Sequence, residues 1–63
     1  MFKVGDVVKV VRGEPGGLQT YTNGDVGVVD SQSSLGNDVN VHFFRDGKVW
    51  YVYASEIEHV QKR

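Results

Sequence analysis

Cysteine is missing from this chain altogether, which excludes disulfides and thiolate metal sites. The two histidines, His42 and His59, stand 17 positions apart, without the short spacing of a metal-ligand pair, so no metal or other cofactor is expected. Alanine occurs once (Ala54), leucine twice (Leu18 and Leu35) and proline once (Pro15), so helix-forming residues are scarce. No apolar run approaches the roughly 18 residues of a membrane span, and Met1 runs into FKVGDVV without the apolar stretch of a signal peptide. The expectation is a soluble cytoplasmic protein that does not insert into a membrane. Its run from Met1 to Gln61-Lys62-Arg63 reads as a whole small open reading frame.

Positive charge is also missing where a nucleic-acid binder would place it. Net charge is -1, and no Lys or Arg falls between Gly13 and Phe44, whereas Glu14, Asp25, Asp30 and Asp38 do. Phosphate neutralisation supplies most nucleic-acid affinity, so this middle argues against nucleic acid as a partner. A local basic cluster forms only if Arg12 folds near Arg45 and Lys48, an arrangement suited to one phosphorylated ligand.

What the chain has is valine, glycine and rings. Valine is its commonest residue, and eight glycines divide the 63 residues into short runs. β-Branched and aromatic residues favour strands, and short strands between Gly/Asn/Asp turns predict a small all-β barrel or sandwich. The first strand candidate is residues 4–13, VGDVVKVVRG, with Val8 and Val10 on one face and Val7, Lys9 and Val11 on the outward one. Gly5-Asp6 marks a turn near its start. Residues 13–25 hold the proline and a Gly-Gly pair without periodicity, and read as a long loop, a class that is often functional. The second strand is residues 25–31, in which Gly27 predicts a bulge or a close backbone approach. A polar loop, 31–38, precedes DVNVHFF, where Val39, Val41 and Phe43 alternate with Asn40, His42 and Phe44. Asp46-Gly47 is a type I′ hairpin signal, and VWYVYA, residues 49–54, is the return strand. Ser55-Glu56-Ile57 predicts one 3₁₀ turn with Ile57 inward, Glu58-His59-Val60 a last strand, and 61–63 a tail. The expected fold is an all-β, five-stranded SH3-like barrel over residues 1–60, with a long first loop and a single 3₁₀ turn before the last strand.

GDVVKVVRG, NGDVGVVDS, DVNVHFF and YASEIEHV together resemble the SH3-like barrels of the photosystem I PsaE subunit and of Mib/Herc2 domains in ubiquitin ligases, and more loosely KOW-type barrels. The resemblance spans residues 4–60 and concerns mostly core and turn positions. It implies the barrel fold and transfers no family-specific site.

Chemistry is sparse. There is no cysteine nucleophile, and Ser31, Ser33, Ser34 and Ser55 lie in loops or turns without a histidine partner. Gly13, Gly16 and Gly17 lack the Lys-Ser/Thr and following helix of a phosphate loop. Asp25 and Asp30 read as turn capping, and His59 as inert. The chain is therefore read as a non-enzyme. Its rings carry the functional expectation: five of the seven aromatics (Phe43, Phe44, Trp50, Tyr51, Tyr53) lie within residues 39–53. A two-residue turn pairs Phe44 with Val49 and Phe43 with Trp50. Phe43, Trp50 and Val52 then face the core, while His42, Phe44, Val49, Tyr51 and Tyr53 form an outward stripe. A turn one residue longer swaps the faces. An exposed apolar stripe marks an interaction surface, and tyrosine suits one. The expectation is a binding module that holds a protein partner or another copy of itself, a homo-oligomer, on this hairpin. The alternative is a small phage-type protein that sequesters a nucleotide-like signal in an oligomeric pocket, with Arg12, Tyr21, Arg45 and a ring supplying charge and stacking.

Overall fold

The structure is a computed structural model that describes residues 2–13, 21–34, 36 and 38–60. It contains β1 (Val7–Val10), β2 (Val26–Gln32), β3 (Val39–Phe43), β4 (Val49–Val52), a 3₁₀ turn (Ala54–Glu56) and β5 (Ile57–His59). All pairings are antiparallel, in one sheet of order β4-β3-β2-β1-β5. The all-β class, five strands and single 3₁₀ turn are as expected. Among the described residues β4 and β5 are the two edges of the sheet and do not pair, so closure of the expected barrel is not seen. The first loop and the tail lie largely outside the described residues. Among those described, no helix is long and apolar enough to cross a membrane.

The chain connectivity nevertheless forces the sheet to coil. β4 ends at Val52, opposite Val39 and then Gln32, while β5 starts at Ile57, opposite Val10. In a flat sheet those ends would lie four strands apart, about 19 Å, and about seven residues apart along the strands, about 23 Å. The separation would be roughly 30 Å. The five steps from Val52 to Ile57 span at most about 18 Å even when extended, and three of the residues between are in the 3₁₀ turn. Only a sheet wrapped around its inner face brings these ends together.

That inner face is the core. Val8, Val10, Val29, Val39, Val41, Phe43 and Val52 are at most 1% exposed, and Tyr21 and Ile57 complete the cluster. Trp50 and Phe2 pack against its margin. The period-2 alternation of β3 (Val39, Val41, Phe43 inward; Asn40, His42 outward) is seen as expected, as are inward Val8, Val10 and Ile57.

Two local features explain how β2 fits. Gly27 is a close backbone approach: a Cβ there would stand 2.5 Å from the His42 carbonyl oxygen and 2.7 Å from Val41 Cγ1. Only glycine lets β3 lie this near. The bulge itself falls further on, where the register with β3 shifts between Val29 and Ser31 and leaves Asp30 unmatched.

The hairpin register differs from the expected one. Trp50 pairs with Val41 rather than Phe43, and Val49 with His42 rather than Phe44. The chain reverses over residues 44–47: Gly47 N–H donates to the Phe43 carbonyl (2.9 Å) and Phe43 N–H to the Lys48 carbonyl (2.9 Å). Gly47 takes φ 72°, and Lys48 N–H donates to Asp46 Oδ1. The loop is thus two residues longer than a type I′ turn. A slip of two, unlike a slip of one, returns each side chain to its own face. Trp50 and Val52 remain inward, and Phe44 moves from the strand into the turn.

Candidate functional site

Local sequence puts the outward residues of the β3–β4 hairpin side by side. On β3, Asn40 and His42 point out and are half-buried; opposite them stand Tyr51 and Val49. β2 backs His42 with Val28. Val49 is 46% exposed, Tyr51 45%, Tyr53 54%, and Phe44 in the turn 60%. These four form a band along one hairpin, with His42 partly covered between them.

The far end of the band is anchored by Asp38. Its Oδ2 accepts the Tyr51 hydroxyl (2.7 Å) and its Oδ1 the Ala54 N–H (3.1 Å). These two donors, the hydroxyl first, hold the Asp38 carboxyl below its ordinary value. The same bond pushes the Tyr51 phenol up, because a phenolate would lose its donor role and face the carboxylate. Tyr51 and Tyr53 meet edge to face with centroids 5.6 Å apart. The rings are therefore held in place, which lowers the ordering cost of any contact they make.

The residues expected around a phosphorylated ligand have other engagements. Tyr21 is buried, its ring stacked on Phe43 at 5.3 Å and its hydroxyl donating to Glu56 Oε1 at 2.9 Å. Its expected place on a binding surface is thus taken over by the core. Arg45, at the turn, is 3.1 Å from Asp25 Oδ2. Arg12 is exposed, and its backbone N–H donates to the Glu56 carbonyl. Among the described residues, no three His, Cys, Asp or Glu side chains gather as a metal site.

Glu56 was not singled out from sequence, yet it is 4% exposed and central. Its Oε1 accepts both the Tyr21 hydroxyl and the Tyr53 N–H (3.0 Å), and its carbonyl accepts the N–H groups of Val11 and Arg12. One residue thus joins the end of β1, the end of the first loop and the link from β4 to β5. Its signal in the sequence is a glutamate three positions after Tyr53, the spacing by which a side chain reaches back to the first N–H of a helical turn. Asp38 has no comparable local signal, since its partners lie 13 and 16 positions away.

No protein-family model, no curated protein and no solved structure matches the chain.

Proposed function

We propose that this protein is a non-enzymatic binding module that engages a protein partner, including a second copy of itself, through the outward side of the β3–β4 hairpin. The observation that supports this most is the band of Phe44, Val49, Tyr51 and Tyr53, each 45–60% exposed on one hairpin. A chain this short has few large side chains, and keeping four of them about half in solvent forgoes roughly half of the 1.5–3 kcal/mol that full burial of a large apolar side chain is worth. Such a band fits a surface that a partner covers. No observation favours the nucleotide alternative: Tyr21 is committed to the core and Arg45 to Asp25.

The test is light scattering on a concentration series of the wild type and of the double variant Phe44→Ser/Tyr53→Ser, with any isolated partner titrated into both. The variant should lose association while its melting curve stays close to wild type. Unchanged association would refute the assignment of this face.

A further inference from the structure

The geometry points to β4 as a seam through which two copies of this chain join their sheets edge to edge, in one definable register. This deepens the reading above, on which it rests, by naming the partner as a second copy and the contact as a backbone ladder. The Phe43–Lys48 hydrogen bond sets the alternation of the β3–β4 ladder. Backbone groups of Lys48, Trp50 and Val52 then turn toward β3, and those of Val49, Tyr51 and Tyr53 toward the free edge. Tyr53 N–H is already taken by Glu56, and next to the other end Gly47 N–H is taken by Phe43. Among the described residues, two are left with edge-directed N–H and carbonyl groups, Val49 and Tyr51, centred on Trp50.

That spacing is self-complementary. An antiparallel second copy with Val49 opposite Tyr51, and Tyr51 opposite Val49, makes four hydrogen bonds around a two-fold axis through Trp50. A register one pair further on either side would call on the Tyr53 or Gly47 N–H, each of which is engaged within its own chain. Trp50 then meets its counterpart at the closely spaced central position, and each Val49 lies beside the ring of a Tyr51, cross-strand pairings of the favourable kind. Residues 49–55 carry no charge, so like strands do not repel. The antiparallel arrangement brings the Lys48 end of each copy to the end of the other where Asp38 is anchored. The edge also lacks the charge, proline or bulge with which soluble proteins block such pairing. Its size sets the strength. About 800 Å² per partner, typical of a stable interface, would be about a fifth of this chain's 4399 Å². A four-residue edge supplies less, so the dimer is weak and concentration-dependent.

The test combines sedimentation equilibrium with residue-resolved hydrogen exchange by NMR on the full chain, from about 10 µM to about 1 mM. The Val49 and Tyr51 amides should slow about tenfold or more as the dimer forms, while the Trp50 and Val52 amides, bonded within the chain, should not change with concentration. Val49→Pro removes one edge N–H per copy, hence two bonds per dimer, and should weaken association about thirtyfold; edge positions accept proline. Val49→Lys is the second variant should proline disturb the fold, and should also weaken association, by placing a charge on the edge of each copy. A dimer that persists in both variants, or that leaves Val49 and Tyr51 exchange unchanged, overturns the seam. If that dimer is lost in Phe44→Ser/Tyr53→Ser, the face reading survives without it. A strict monomer at about 1 mM overturns the seam and self-association together, and leaves the face reading only a foreign partner.

Discussion

β5, at one edge of the sheet, is three residues long and carries Glu58 and His59; β4, at the other, is four residues long and carries Val49, Trp50, Tyr51 and Val52. The β5 side is further tied down. His59 Nε2 lies 2.9 Å from Asp6 Oδ2, its ring rests 4.5 Å from that of Phe2, and Val60 N–H continues the ladder to the Val7 carbonyl. The β4 side has no charged side chain of its own, and its outward rings are held up by Asp38 from the neighbouring loop. Exposure alone therefore does not mark this hairpin. Both edges are exposed, but only one lacks the devices that keep a strand edge from pairing.

The comparison depends first on the shared middle of the sheet. Gly27→Ala should separate β2 from β3, because the new Cβ meets the His42 carbonyl, which is backbone and cannot rotate away. The expected loss is about 3 kcal/mol, enough to unfold much of a domain whose size makes it marginal. Loss of the cooperative melt by circular dichroism would show it, and a variant as stable as wild type would refute the close approach.

Next comes the link that carries the chain from one edge to the other. Glu56→Ala removes the acceptor for the buried Tyr21 hydroxyl and the Tyr53 N–H, and should cost about 2–3 kcal/mol in urea unfolding. Tyr21→Phe removes one of those bonds without leaving a donor stranded, and should cost about 1 kcal/mol or less. Equal losses in the two variants would mean that Glu56 does not bridge the edges.

A third change converts one edge toward the other. Glu58→Val strips β5 of its acid at an exposed position, so stability should move by less than about 0.5 kcal/mol. Association, by contrast, should extend beyond dimers to larger species in light scattering, since neither edge strand would then carry an acid. An unchanged size distribution would show that charge is not what protects β5.

The smallest effect is the part of the pH dependence that belongs to the β5 side. The Lys3 N–H, and then His59, hold the Asp6 carboxyl below its ordinary 3.8. A lowered folded-state pKa means that the stabilisation is complete above 3.8 and is lost as pH falls through the lower folded value. Asp6→Asn should remove part of the acid limb of the urea midpoint plotted from pH 5 to pH 2, leaving the part due to Asp38. In the wild type the Phe2 and His59 resonances should follow Asp6, and this change should be absent in the variant.

Much of this architecture could be read from residues in order, because strand faces are a local property. Val39, Val41 and Phe43 lie inward for the same reason that they alternate with polar neighbours, and Gly27 announced a close approach that the fold contains. The Asp46-Gly47 signal was right about reversal and wrong about loop length. The reversal is local chemistry, but the closing register is set by Phe44 N–H reaching the Val26 carbonyl on β2 and Arg45 reaching Asp25 just before it. The core place of Tyr21 was not legible at all. It lies at the end of a loop without periodicity, and its partners, Phe43 and Glu56, are 22 and 35 positions away.

Which side chains share a face follows from residue order alone, since pleating alternates them whatever the partner. So does a core built mainly of valine. Which strands are edges, how far the hairpin turn extends, and which polar groups the coiled sheet consumes internally emerge with the folded chain. Those depend on chain closure over tens of residues, where a short link from β4 to β5 must reach across a five-stranded sheet. That closure engages the backbone N–H of Tyr53 with Glu56 and leaves the edge groups of Val49 and Tyr51 facing outward.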